Sequence, residues 1–189
     1  ILTQTQRISN IVRSLVGFAR TDGHMTSSSY SAVHLKSTIE EAISLLKLSG
    51  GKEYQFDNFC PEELNVRGNA QRLMQVFVNL LSNARDASPI DSQIMIEAHQ
   101  NGSFIHIEIE DFGTGLPEGT IRDNLFEPFV TTKETGKGTG LGLALVHGII
   151  GEHGGKIQLM DKADYDQGRG VIVQISLPAW VNDEEDSAA

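Results

Sequence analysis

The sequence predicts an α+β domain: a two-layer sandwich in which a mixed sheet is covered by helices on one face, preceded by a helix of bundle type. Three observations lead there. Segments with one apolar stripe at helical spacing are interspersed with short segments that alternate apolar and polar residues. Two of the alternating segments, QIMIEAH and SFIHIEIED, are separated only by QNG, the pattern of a hairpin. The last, VIVQISLP, alternates cleanly through Val171, Val173, Ile175 and Leu177, so one of its faces is apolar and the other polar. Helices clustered with hairpin-connected strands bury such a face by packing on it.

The elements follow in chain order. Residues 1–20 read as an amphipathic helix, with Ile1, Ile8 and Leu15 repeating at sevens and Ile11/Phe18 and Val12/Ala19 beside them. That is a bundle or coiled-coil seam, and it calls for a partner helix. The polar, serine-rich TDGHMTSSSY then marks a linker over residues 21–31. Residues 35–48 form a helix with Leu35, Ile39, Ala42, Ile43 and Leu46 on one face. EYQFDNF and LNVRG read as short strands. Residues 69–86 form a strong helix through Leu73, Val76, Phe77, Leu80 and Ala84, and the hairpin follows it. Residues 141–152 make a further helix, and KIQLM and VIVQISLP close the domain as strands.

Composition narrows the function. The chain has 189 residues, 39% hydrophobic and 21% charged, an ordinary globular balance. A net charge of −10 argues against nucleic acid or an anionic membrane as the main partner, and means that a polyphosphate ligand needs local cationic or amide compensation. The single cysteine, Cys60, excludes an internal disulfide and a cysteine-rich zinc site. No stretch has the length of a membrane span, and no signal-peptide pattern opens the chain. The expectation is a cytoplasmic fragment of a longer protein, since the chain starts without Met inside a helical pattern; a membrane anchor elsewhere in the whole protein is left open.

The chemistry concentrates around GKGTGLGLAL, residues 136–145, where four glycines precede an apolar helix. It is not a Walker A loop: Thr131 stands five residues before Gly136, and Lys137 is followed by Gly138 rather than by a hydroxyl residue. It is not a dinucleotide fingerprint either, because Leu143 stands where the third glycine belongs and no strand precedes it. What remains is glycine backbone feeding a helix N-terminus. Amides can approach an anion there, and the helix dipole favours negative charge. A mobile surface loop with helix-start glycines fits that segment equally well.

Three other segments bear on the choice. In QRLMQVFVNLLSNARDA, Arg72, Asn79, Asn83 and Asp86 share one stripe beside the apolar face at about 100° per residue. Neutral amides there suit a magnesium ion already held by phosphates, although two surface amides would look the same. SFIHIEIEDFGTGL ends a strand at Asp111 and turns through Gly113 and Gly115. A carboxylate there can accept a hydrogen bond from an exocyclic amine, or can simply cap the turn. LFEPFVTTK sets Phe126 and Phe129 around Pro128 just before the glycines, as lid anchors, core residues or both.

Taken in order, these segments resemble the four boxes of the ATP-binding catalytic domain of sensor histidine kinases, a superfamily shared with gyrase, a heat-shock chaperone family and the mismatch-repair ATPases. NLLSNARDA resembles the N box, DFGTGL the first glycine box, LFEPFVTTK the F box and GKGTGLGL the second glycine box; VHGIIGEHGGKI resembles the usual continuation. The likeness spans about residues 35–180. QRISNIVRSLVGFAR further resembles the end of the second helix of a dimerisation and phosphoacceptor domain. The resemblance implies a division into that helical remnant (1–20), a linker (21–31), an ATP-binding catalytic domain (32–180) and an acidic tail (181–189).

The resemblance also implies roles. Asn83 would ligate Mg2+ and Asn79 would assist at the phosphates. Asp111 would read the adenine amine, with Gly113 and Gly115 shaping the base pocket. Phe126 and Phe129 would anchor the lid. Gly136, Gly138, Thr139, Gly140, Leu141 and Gly142 would form its hinge and the phosphate-facing turn, a segment expected to order over nucleotide. Lys133 and Lys137 are the candidate cationic partners of phosphate. Some relatives carry a basic residue three positions after the second Asn; here that residue is Asp86, while Arg85 points elsewhere on the helix. ATP-hydrolysing members place a glutamate four residues before the magnesium Asn, as general base for water. Here that residue is Asn79, which cannot take a proton, so hydrolysis should be feeble and the γ-phosphate should be presented to a histidine instead. None of the six histidines (His24, His34, His99, His106, His147, His153) is followed by Glu or Asp, so the phosphoacceptor is expected on another part of the protein. The implied cofactors are ATP and Mg2+. The implied partners are a phosphoacceptor histidine domain, a response-regulator receiver domain and a second copy of the full-length protein, with no nucleic acid. An ATP-hydrolysing clamp domain and a non-catalytic nucleotide-sensing or docking module are the competing readings.

Overall fold

The computed structural model describes residues 30–48, 54–133, 138–165 and 168–181. The expected bundle helix, residues 21–29 of the linker and nearly all of the acidic tail lie outside them. The described elements are β1 (Ser31–His34), α1 (Leu35–Leu48), β2 (Gln55–Asn58), β3 (Asn65–Gly68), α2 (Ala70–Ala87), β4 (Gln93–Asn101), β5 (Phe104–Glu110), a one-turn α3 (Thr120–Asp123), α4 (Gly142–Glu152), β6 (Lys156–Asp161), a short 3-10 turn (Lys162–Tyr165) and β7 (Val171–Pro178). The strand β1 is absent from the sequence reading: Ser31, assigned there to the linker, begins a strand paired antiparallel to β3. Four residues, with only Val33 buried, carry too short an alternation to be recognised as a strand.

The main sheet has the order β2-β4-β5-β7-β6, with β2 parallel to β4 and all other pairs antiparallel, so it is mixed as expected. The period-2 pattern sorts its side chains. Ile94, Ile96, Ile105, Ile107, Ile109, Val173, Ile175 and Leu177 point into the core. Glu97, His99, His106, Glu108, Gln174 and Ser176 occupy the other face and are exposed or half-buried. The helices supply the second layer from their apolar stripes: Leu35, Ile39 and Leu46 on α1, Leu73, Phe77 and Leu80 on α2, and Val146, Ile149 and Ile150 on α4, all buried.

Two caps set the helices. Asn69 caps α2, its side chain accepting the Arg72 N–H at 3.0 Å. His34 caps α1, its ring Nδ1 accepting the Ser37 N–H at 3.3 Å. α2 and α4 lie side by side and antiparallel. Arg72, early in α2, pairs with Glu152 at the end of α4, while Asn79, later in α2, lies against Gly142 at the start of α4. The C-terminal half of α2 therefore meets the N-terminus of α4.

Candidate nucleotide-binding site

That meeting point carries the amides. The Asn79 Nδ2 donates to the Gln75 carbonyl at 2.8 Å, which turns Oδ1 towards Gly142; a Cβ added at Gly142 would stand 3.1 Å from that oxygen. Asn83 is half-buried one turn further on. Opposite them, α4 opens at Gly142 with no side-chain cap. The Leu141 N–H is satisfied by the Thr139 hydroxyl at 3.3 Å, and the Leu145 N–H is the first to find a helical carbonyl, that of Leu141, at 2.9 Å. Among the described residues no side chain caps this first turn, which lies at the end of the helix that favours negative charge. Of the expected stripe, Arg72 does not belong to this place: its guanidinium pairs with Glu152 at the far end of the helix pair.

Asp111 is 5% exposed, just past the end of β5. Its Oδ1 accepts two backbone N–H groups, from Gly113 at 2.9 Å and Val171 at 3.1 Å, and among the described residues no hydrogen bond reaches its Oδ2. Burial pushes the carboxyl above its ordinary value, against the two amides and the Lys162 charge, which pull it down. Gly113 is confined by the end of α2, where a Cβ would come within 2.7 Å of the Ala87 carbonyl oxygen. Gly115, at φ 87°, is confined by the Asp161 carboxylate.

The two phenylalanines separate. Phe126 packs against the core, its ring 4.9 Å from that of His147. Phe129 is 70% exposed and has φ 68°, a conformation that costs a bulky residue energy and clusters at functional sites. Its N–H donates to the Gly140 carbonyl at 2.9 Å, and Gly140, at φ 65°, could not carry a Cβ without meeting the Phe129 carbonyl carbon at 2.4 Å. The F box and the second glycine box are therefore joined backbone to backbone. Gly138 lies against Thr131 and Lys133 in the same junction. Lys133 reaches α2, its Nζ 2.7 Å from an Asp86 oxygen, while Arg85 pairs with the same carboxylate at 3.2 Å. The acidic residue in the place of the expected base thus gathers two cations. Gly136 and Lys137 lie outside the described residues.

Several residues that hold this site were not singled out by sequence. Gly170, at φ 130°, lies so close to the Asp111 carbonyl that a Cβ would stand 2.0 Å from its oxygen. Asp161 and Lys162 grip the loop after Asp111. At the far end of the helix pair, away from the site, His153 accepts the Asn69 N–H at 3.1 Å through Nε2 and stacks on Tyr30 with ring centroids 4.7 Å apart. Each contact joins segments far apart in sequence, and the only local signal was the strand-end DK and the HGG that follows α4.

Residues 68–181 match the family model described as histidine kinase-, DNA gyrase B-, and HSP90-like ATPase. Among curated relatives, the chain is 35% identical to the nitrogen regulation protein NtrY of Azorhizobium caulinodans, over 95% of this chain and 23% of that protein. It is 30% identical to the sensor histidine kinase ZraS of Escherichia coli, over 93% of this chain and 36% of that one. The chain thus spans about a quarter to a third of the length of these two relatives. Among solved structures, the catalytic domain of histidine kinase ThkA aligns with a TM-score of 0.65 at 29% identity, covering 79% of this chain and 95% of that one. The Acinetobacter baumannii histidine kinase AdeS aligns with a TM-score of 0.73 at 25% identity, covering 94% and 81%. With its mixed sheet under one helical layer and its four boxes brought to one end of the α2–α4 pair, the chain belongs to the histidine kinase-, DNA gyrase B- and HSP90-like ATPase family.

Proposed function

We propose that this chain is the ATP-binding catalytic domain of a two-component sensor histidine kinase, which presents the γ-phosphate of Mg-ATP to a histidine on a separate helical domain. The observation that carries the proposal is Asn79, held by Gln75 with its oxygen against the open N-terminus of α4. Where a hydrolysing enzyme needs a base, this site offers a neutral amide that cannot take a proton from water. Phosphoryl transfer then rests on positioning and charge neutralisation. Asp111 accepts the adenine amine through Oδ2. The first-turn amides of α4 and Lys133 face the phosphates, and Phe129 and Gly140 fix the base of the lid.

The donor set fits Mg2+ held jointly with phosphates. Among the described residues no group of three or more His, Cys, Asp or Glu side chains could hold a metal. Asn83, a neutral oxygen ligand on the stripe that faces α4, suits an ion whose remaining ligands are phosphate and water. The ion would supply charge neutralisation on the transferring phosphoryl group.

The sensor histidine kinase ZraS is more than twice as long as this chain and NtrY longer still, which supports a phosphoacceptor domain, a receiver-domain partner and a dimer of the full protein; residues 1–20 would be the remnant of the bundle. Among the described residues no helix is long and apolar enough to cross a membrane.

The test is to mix this chain with a separate phosphoacceptor helix pair and γ-labelled ATP. Acid-labile label on the helix-pair histidine, lost with Asn83→Ala, is expected. Nucleotide binding without transfer would leave only a binding module, and steady-state hydrolysis abolished by Asn79→Ala would indicate a clamp ATPase.

A further inference from the structure

Residues 111–116, which follow β5, are held at both ends by two consecutive residues at the end of β6. Asp161 is 7% exposed: its Oδ2 accepts the Leu116 N–H at 2.7 Å and its Oδ1 accepts the Ala163 N–H at 3.0 Å. The same carboxylate lies where a side chain on Gly115 would go, 2.8 Å from an added Cβ. Lys162 is 3% exposed; its ammonium donates to Glu110 at 2.5 Å and sits 3.7 Å from the centroid of the Phe112 ring. Burying a carboxylate and an ammonium side by side is costly unless each is fully used. Both are used here, and both on one loop.

We propose that Asp161 and Lys162 form a clamp that positions residues 111–116, and so determines the preference for adenine over a purine that lacks the amine. The proposal rests on the reading of Asp111 as the carboxylate that faces adenine. A loop without regular structure would otherwise let Asp111 and its two glycines wander, and a misplaced acceptor loses discrimination before it loses binding. Asp161 fixes the far end through Leu116, and Lys162 fixes the near end through Glu110 and Phe112. Lys162 and Glu110 act on Asp111 through their charge, and its hydrogen-bond partners are the Gly113 and Val171 amides. The Lys162 charge favours the ionised Asp111 that an amine donor requires. Both members of the clamp are positioning residues that act through Asp111.

The experiment compares ATP with inosine triphosphate, each with Mg2+, by titration of the full chain. The wild type is expected to prefer ATP. Asp161→Ala and Lys162→Met are expected to cut that preference about tenfold while triphosphate binding persists. Lys162→Met should also move the acid limb of ATP binding to higher pH, and Lys162→Arg should restore both. A wild type that binds the two nucleotides alike overturns the reading of Asp111. A wild type that prefers ATP, with Asp161→Ala and Lys162→Met variants that keep the preference, overturns the clamp alone. If Asp161→Ala does not fold, Lys162→Met decides in its place, because it removes the contacts to Glu110 and the Phe112 ring while leaving Asp161 intact; an unchanged preference there overturns the clamp.

Discussion

Asp111 is nearly inaccessible, yet the contact proposed for it with the adenine amine calls for the ionised form. Burial raises its pKa first, and the Gly113 and Val171 amides and the Lys162 charge pull the other way, so in the free protein the acid form persists to higher pH than for an ordinary aspartate. An amine donor binds the carboxylate more strongly than the acid form. ATP affinity is therefore fully present above that raised pKa and falls as the pH drops through it, whereas a phosphate-only ligand such as tripolyphosphate keeps its affinity over the same range. Titrations of both ligands across mildly acidic pH check this, and Asp111→Ala should weaken ATP about tenfold or more at neutral pH. Gly140 is a second residue whose identity the geometry dictates: it combines φ 65° with a carbonyl carbon 2.4 Å from any Cβ. Gly140→Ala is expected to cost about 1 kcal/mol or more from backbone conformation and crowding together, read as a lower thermal midpoint with weakened nucleotide affinity.

The antiparallel pair of α2 and α4 is the element that builds the site. One end is fixed by polar contacts, Arg72 with Glu152 and His153 with Asn69, and the other is left open for the ligand between Asn79 and Gly142. His153 makes the fixed end sensitive to pH. Its Nε2 accepts the Asn69 N–H at 3.1 Å, so the folded state needs the neutral ring, and burial lowers its pKa below the ordinary 6.5. Between the folded and unfolded values the unfolded chain binds more protons. The stabilisation is therefore complete above about pH 6.5 and is lost as the pH falls towards the depressed folded value. Urea midpoints measured from pH 7.5 to pH 5.5 should fall for the wild type, and the slope should flatten in His153→Gln, which has no proton to take up.

For the whole molecule, the described sandwich has one covered and one polar sheet face, and the nucleotide site proposed for it lies at the end of the helix layer rather than on the polar face. A nucleotide that bridges α2, the loop after β5 and the N-terminus of α4 joins three separate pieces of chain. Binding should then stabilise the fold as a unit, by about 2.7 kcal/mol when Mg-ATP stands at a hundred times its dissociation constant. Chemical denaturation with and without Mg-ATP measures this. At the same Mg-ATP concentration the increment should fall to about 1.4 kcal/mol or less in Asp111→Ala, as a tenfold loss of affinity requires, and the loss of Mg2+ should reduce it in the wild type but not in Asn83→Ala.

The strands and helices were legible in the sequence where their periodicity was long. α1 spans the expected residues 35–48, α2 and α4 begin one residue later than expected, and the strands β4, β5 and β7 alternate as read. The short strand β1 was not legible, because four residues carry too little alternation. The four boxes lie in contiguous stretches, so Asn79, Asn83, Asp111 and the glycines could be named from local order alone. Sequence by itself determined the fold class, the family and the identity of these residues, since periodicity and motif order are local properties. Only the tertiary structure decided that Phe126 packs in the core while Phe129 stays exposed at positive φ, and that Asp86 gathers Lys133 and Arg85. It also showed that Gly115 is glycine because Asp161 fills its side-chain space. These facts depend on which distant segments meet, and that is set by how the core packs rather than by any local pattern.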